Sequence, residues 1–147
     1  MILKIALAAF VFSAALTGIT ANPGPMVYEV LAAPDVLVAA PFTTGGHAGT
    51  ADGQSTDVIY GWPGAAFETA FRGDRLYFKI GAGKTTVRVI VDGHAFPALL
   101  NPSPGYYEVS DLGTARHRVR IEAATERHAE PAHFGGFYLM PEEKPLK

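Results

Sequence analysis

The chain lacks several features that common classes of function require. Its 147 residues include no cysteine, which excludes a disulfide framework, a thiolate nucleophile and a cysteine-ligated zinc site. The formal net charge is −2 with no block of like charges, so the basic footprint of a nucleic-acid-binding protein is missing. The length suits one domain, and 48% hydrophobic with 18% charged residues is typical of a globular protein.

Motifs for catalysis are also missing. The serines beyond the N-terminal segment are Ser55, Ser103 and Ser110. None of them lies in a Gly-x-Ser-x-Gly elbow, and a triad assembled from distant loops has no motif to support it. His128 and His133 do not have the spacing of a helical zinc site, and Pro131 stands between them. We therefore expect no catalytic residue, no metal site and no cofactor.

The clearest pattern in the chain is the alternation between Thr56 and Gly93. Apolar or β-branched residues recur at every second position in three segments, which are separated by short glycine-containing turns. The residues expected to face the core are Phe67, Thr69, Phe71, Leu76, Phe78, Ile80, Val87, Val89 and Val91. A period of two predicts half-buried antiparallel strands, and glycine and aspartate suit hairpin turns.

Further strands are predicted after this stretch. Arg116 to Ala124 alternates again, with Val119 and Ile121 facing the core, and Phe134 to Leu139 forms the last strand. The paired glycines in that last strand predict a β-bulge or a close backbone approach. Strands about every ten residues, with turns between them, predict an all-β fold, an antiparallel β-sandwich.

The N-terminus has the order of a secretory signal peptide. Lys4 is followed by the apolar run Ile5–Leu16 and by small residues up to Ala21. The run is shorter than the roughly 20 residues of a bilayer span, which disfavours the alternative of an uncleaved anchor helix. We predict a signal-peptide helix over residues 1–21, cleavage after Ala21, no stable membrane span in the mature chain, and a secreted or periplasmic location.

The rest of the chain divides into three parts. Residues 22–42 are expected to be a leader with two short edge strands, and residues 43–140 to be the β-sandwich domain. Residues 141–147 are rich in proline, lysine and glutamate and are expected to begin a linker or tail.

Aromatic residues are the best candidates for ligand contact, because a flat ring packs on the apolar face of a sugar and a polar tip tolerates water. We name Tyr106, Tyr107 and the single tryptophan, Trp62, as candidate ligand-binding residues. Adjacent strand residues point to opposite faces, so only one of Tyr106 and Tyr107 can line a given surface. The alternative is that Trp62 and most tyrosines supply core area.

The order of several short motifs resembles that of a known module. The motifs are Trp62-Pro63-Gly64, Phe67, Phe71-x-Gly73, Val89-x-Val91-Asp92-Gly93, Tyr107, Leu112, His117-x-Val119-x-Ile121, Thr125-Glu126 and Phe134-Gly135-Gly136-Phe137-x-Leu139. From about Thr43 to Pro141 their order and spacing are similar to those of the N-terminal β-sandwich (jelly-roll) domain of carbohydrate esterase family two. The resemblance implies a parent enzyme that deacetylates polysaccharides such as acetylated xylan. Gly45-Gly46-His47 departs from the pattern, which has a Gly-Arg pair near this point.

The resemblance also implies that catalysis belongs to a following SGNH-type hydrolase domain opened by Gly-Asp-Ser, a motif that does not occur before Lys147. We therefore expect a non-catalytic accessory module of a secreted acetyl xylan esterase. It would bind or position polysaccharide, or pack on that hydrolase domain in cis. One alternative is a fragment of an active acetyl esterase whose catalytic Ser-His domain follows Lys147. Another is a purely structural scaffold.

Overall fold

The computed structural model describes most of the chain beyond its N-terminal segment. The described residues are 24–45, 58–60, 64–83, 85–124 and 132–146, with the backbone alone described at 58–60 and 132. The predicted signal peptide and Trp62 lie outside these ranges. Within them, no helix is long and apolar enough to cross a bilayer.

All strand pairs among the described residues are antiparallel. The strands are β1 (Met26–Val30), β2 (Val38–Ala40), β3 (Thr43–Gly45), β4 (Val58–Tyr60), β5 (Ala66–Arg72), β6 (Leu76–Ile80), β7 (Thr86–Val91), β8 (His94–Ala95), β9 (Leu99–Leu100), β10 (Gly105–Ser110), β11 (Arg116–Ala123), β12 (Ala132–Leu139) and β13 (Lys144–Leu146).

These strands form two sheets. Sheet A has the order β1-β10-β6-β12-β2, and β4 pairs with β12 as well. Sheet B has the order β13-β5-β11-β7-β8, with β3 also paired to β5 and β9 to β7. The outer positions next to β12, β5 and β7 are each shared by two short strands. The buried apolar residues of both sheets belong to one core, which confirms the predicted antiparallel β-sandwich.

The predicted alternation accounts for the core. The predicted core positions of β5, β6, β7 and β11 are all buried. At the centre of the sandwich, Phe67 of sheet B stacks on Phe134 of sheet A with ring centroids 4.2 Å apart. Phe42 packs edge-on against Phe134 at 5.5 Å and Phe67 at 6.1 Å. Stacked and edge-to-face rings are the favoured aromatic geometries, and truncating such a residue typically costs about 3–5 kcal/mol.

The predicted irregularity in the last strand is confirmed. The pairing of β12 with β6 shifts register between Phe134 and Phe137, and both of these side chains are buried. Gly136 has a φ of 96°, a conformation that L side chains rarely adopt. The bulge therefore turns Phe137 back into the core in spite of the odd spacing.

The segment expected to carry two edge strands does so, and the segment expected to begin a tail contains a strand. Strands β1 and β2, within the expected leader 22–42, form opposite edges of sheet A. Strand β13, within the expected tail 141–147, pairs with β5 in sheet B. Proline is tolerated at an edge because it has no N–H to donate to a neighbouring strand, and Pro145 occupies such an edge. The described sheets therefore extend on both sides of residues 43–140.

Glu143 holds the segment that directly precedes β13 against the start of β6. Its carboxylate accepts hydrogen bonds from the Arg75 backbone N–H at 3.3 and 3.4 Å. Burial raises the pKa of Glu143 to about 6. Since the folded-state pKa lies above the ordinary value, ionisation of Glu143 costs stability, and the cost is complete once the pH has risen through about 6.

The turn after β7 depends on a buried histidine. His117 Nδ1 lies 2.7 Å from Asp92 Oδ2, and His117 Nε2 lies 2.9 Å from the Gly113 carbonyl oxygen. Asp92 Oδ1 also accepts a hydrogen bond of 2.8 Å from the Arg118 backbone N–H. Burial alone would raise the pKa of Asp92, but the bonds from His117 and Arg118 outweigh it and hold the pKa below its ordinary value.

We predict that Asp92→Asn lowers the free energy of unfolding at pH 7 by about 1–2 kcal/mol, because it weakens charge-assisted hydrogen bonds. Asparagine tolerates the positive φ of Asp92, so the backbone contributes little. The depressed pKa means that the difference disappears as the pH falls through it. Urea unfolding at pH 7 and at a series of lower pH values measures this. Asp111→Asn, also at positive φ, is the matched control. An equal loss of unfolding free energy in Asp92→Asn and Asp111→Asn would contradict the role given to the Asp92 carboxylate.

Candidate functional site

The outer face of sheet A carries a cluster of aromatic residues. We call this the tyrosine face and define it by Tyr28, Tyr77, Tyr106, Tyr138 and Lys79. Alternation places these side chains outward, because their neighbours Leu76, Phe78, Tyr107, Val109, Phe137 and Leu139 fill the core.

Register brings three of the tyrosines into one row across the sheet. Tyr28 pairs with Glu108, Glu108 with Tyr77, and Tyr77 with Tyr138. Their side chains lie on the same side of neighbouring strands, where directly opposed residues are within contact distance. Tyr77 and Glu108 are buried although they point outward, because the side chains around them cover them.

Tyr106 lies beside this row and joins it to Lys79. The rings of Tyr106 and Tyr138 meet edge to face with centroids 5.5 Å apart. Lys79 Nζ lies 5.5 Å from the centroid of the Tyr106 ring, a cation–π distance. The Tyr138 hydroxyl donates to the Gly135 carbonyl oxygen at 2.7 Å. Tyr106 is half-buried and Lys79 is exposed, so both reach solvent.

One buried charge lies within the cluster. The Glu108 carboxylate lies 3.9 Å from the Arg75 guanidinium. Partial burial, together with the hydrogen bond to Glu108, raises the pKa of Tyr28. Burial also raises the pKa of Tyr77, and a hydrogen bond to Tyr77 raises that of Arg75. Tyr28 and Tyr77 therefore stay protonated near neutral pH, and the face offers hydroxyl groups and ring surface to a polyhydroxylated ligand.

The structure separates the predicted site residues. Tyr106 lies on the tyrosine face. Tyr107 faces the core at 4% exposure, stacks on Phe78 at 5.4 Å and donates its hydroxyl to the Ser103 carbonyl oxygen at 2.8 Å. Its ring is therefore closed to a ligand, which corrects its inclusion among the candidate ligand-binding residues. Trp62 lies outside the described residues.

Tyr28, Tyr138 and Lys79 were not among the candidate ligand-binding residues named from the sequence. Alternation placed Lys79 off the core face of its strand, but it did not show that Tyr106 lies beside it. Within the described residues, no group of three histidine, aspartate or glutamate side chains could hold a metal ion.

These features define a small antiparallel β-sandwich domain with a tyrosine-bearing outer face. The family model described as "Carbohydrate esterase 2 N-terminal" matches residues 48–147. The chain therefore belongs to this family and is a domain associated with carbohydrate esterases. The resemblance predicted from the motifs is confirmed.

Known relatives are longer proteins. An acetylxylan esterase / glucomannan deacetylase from Cellvibrio japonicus (strain Ueda107) is 39% identical over 93 residues, which cover 63% of this chain and 26% of that protein. A solved carbohydrate esterase, whose active site has divergent catalytic and non-catalytic binding functions, shares 33% identity with a TM-score of 0.60; the match covers 75% of this chain and 32% of that one.

A family two carbohydrate esterase from Clostridium thermocellum, solved in complex with cellohexaose, has the same fold. Its TM-score is 0.60 at 24% identity, and the match covers 72% of this chain and 33% of that one. The chain thus spans about a quarter of the curated relative, 26%, and about a third of the solved ones, 32% and 33%.

We predict that Gly135→Ala destabilises the domain by about 1–3 kcal/mol, the usual cost of overpacking. A Cβ at this position would lie 2.8 Å from the Lys79 Cβ, Cγ and Cδ atoms, so the lysine could not keep its place beside Tyr106. Gly45→Ala is the control, because among the described residues its Cβ would meet only the Ala66 Cβ, at 4.0 Å. Denaturant unfolding compares the two. Equal stability of both variants would contradict the packing described here.

Proposed function

We propose that this domain is a non-catalytic accessory module that binds or positions a polysaccharide for a carbohydrate esterase. The observation that carries the proposal is the meeting of Tyr106, Tyr138 and Lys79 on the solvent side of sheet A. The half-buried ring of Tyr106 is held in place by Tyr138, so it would lose little conformational freedom on binding. Lys79 is exposed and long enough to donate to a sugar hydroxyl or to move aside.

The relatives support the class of ligand. One acts on acetylated xylan and glucomannan, and another was solved with cellohexaose. By this analogy, the parent of the present domain is an acetyl esterase whose SGNH-type catalytic domain carries the nucleophile. We further propose that residues 1–21 direct export, since such substrates lie outside the cell. Trp62 remains a second candidate for sugar contact.

A structural scaffold is the second candidate function. Exposed apolar side chains concentrate at the two edges of sheet A, where Met26, Leu31, Val36 and Val38 are all more than 40% exposed. Such residues favour contact with another domain. One relative also favours this candidate. Its active site itself has a non-catalytic binding function, so binding by that enzyme does not require the accessory domain.

We predict that Tyr106→Ala weakens binding of acetylated xylan or cellohexaose at least about tenfold, equivalent to about 1.4 kcal/mol, because the stacking surface is lost. Leu100→Ala is the matched control, since Leu100 is 78% exposed on sheet B and its truncation removes apolar area from the opposite sheet. Isothermal titration calorimetry measures both affinities, and thermal unfolding confirms that each variant is folded.

The same measurements distinguish the two candidate functions, polysaccharide binding and a structural scaffold. Absence of binding by the unmodified domain, on any neutral polysaccharide tested, would favour the scaffold. An equal loss of affinity in the Tyr106 and Leu100 variants would show that the tyrosine face is not the binding site. Hydrolysis of acetyl esters by this chain alone would contradict the non-catalytic assignment.

A further inference from the structure

The outer face of sheet B differs chemically from the tyrosine face. It carries charged side chains, because the alternate positions of β5, β11 and β7 fill the core with Phe67, Phe71, Val119, Ile121, Val87 and Val89. The cations in outward positions are Arg72, Arg88, Arg116, Arg118, Arg120 and Lys144, and the carboxylates are Glu68 and Glu122. We call this surface the arginine face.

Most of these charges neutralise one another. Glu68 lies 3.3 Å from Arg118 Nε and 3.8 Å from Arg120 Nη1. Glu122 lies 2.6 Å from Arg120 Nε and 4.0 Å from Arg88 Nη1. Three arginines thus share two carboxylates, and the chain of ion pairs crosses the sheet from β5 over β11 to β7.

Arg116 stands apart from this network. It is exposed, and within the described ranges no carboxylate lies within ion-pair distance of it. Arg72 and Lys144 differ, since they border a second hollow that Asp74, Glu142 and Glu143 also line. Among the described residues, Arg116 is therefore the arginine of β11 that the ion-pair network leaves without a carboxylate partner.

Arg116 and Arg118 line a groove of about 280 Å³. Its floor is low because Ala70, a small residue, stands between Leu146 and Arg118 in the cross-strand row. Phe42 and Leu146 add apolar surface to the lining, and Glu68 adds one carboxylate, which is already paired with Arg118 and Arg120. The volume is near the lower end for small-molecule sites, about 300–1,000 Å³, and suits a single sugar ring.

We propose that this groove binds a uronate residue of an acidic polysaccharide, that is, a pyranose bearing a carboxylate. The guanidinium group of Arg116 matches a carboxylate in geometry and charge, and the Ala70 floor provides apolar surface for the ring. A protein partner fits less well, because a stable protein interface buries about 800 Å² on each partner, more than a groove of this volume offers. The groove lies on the sheet opposite the tyrosine face, so it goes beyond the proposed function and does not depend on it.

The test compares a short oligogalacturonate with its methyl ester, which has the same sugar without the charge. Titration calorimetry at low salt should show binding of the acid and at least about tenfold weaker binding of the ester. Arg116→Gln should weaken binding of the acid at least about tenfold. Arg88→Gln makes the same charge change on the same face, but Arg88 is not among the residues lining the groove; it should change affinity less than about twofold.

Ala70→Leu tests the groove without any change in charge. It fills the floor between Leu146 and Arg118 and should abolish binding, whereas Tyr106→Ala should leave it intact. Thermal unfolding of each variant verifies folding. Equal losses in the Arg116 and Arg88 variants, or unchanged affinity of the Ala70 variant, would reduce the effect to diffuse attraction and overturn the site. No binding of oligogalacturonate by the unmodified domain would overturn it as well, whatever the tyrosine face binds.

Discussion

The stack of Phe67 on Phe134, with Phe42 at its edge, joins the two sheets, and the rest of the structure depends on it. Both rings are fully buried. Because strand residues alternate in direction, a sheet that turns phenylalanine and valine inward must turn the intervening residues outward. In β12 the bulge between Phe134 and Phe137 keeps both rings in the core. The packing of the interior therefore decides which side chains reach the two outer faces.

Those faces are chemically distinct although they belong to one small domain. Sheet A presents phenols with one lysine and an ion pair between the exposed Arg75 and the buried Glu108. Sheet B presents arginines in a network of ion pairs. Exposed ion pairs contribute little to stability, about 0–1 kcal/mol each, so the fold does not require this arrangement of charges. We therefore propose that the two faces serve in ligand recognition, by aromatic contact on sheet A and by pairing with a ligand carboxylate on sheet B.

Much of this could be predicted from the sequence, and the remainder has physical reasons. A period of two identified Phe67, Phe78 and Val89 as core residues, because burial on one face leaves a local pattern. Local patterns do not show which strands are neighbours, so the contact of Tyr106 with Tyr138, far apart in the chain, was not foreseen. Alternation showed that only one of Tyr106 and Tyr107 could face solvent, but it did not show which one does. Pro145 appeared to mark a tail, since proline is compatible both with a linker and with an edge strand.

We propose above all that neutral polysaccharide binds on the solvent side of sheet A. Amide and side-chain chemical shifts of the isotope-labelled domain, followed during titration with cellohexaose or a xylan oligosaccharide, test it most directly. We expect the shift changes to concentrate at Tyr106, Tyr138 and Lys79 and to leave Leu100 unaffected. Changes confined to sheet B, or the absence of changes at saturating sugar, would contradict it.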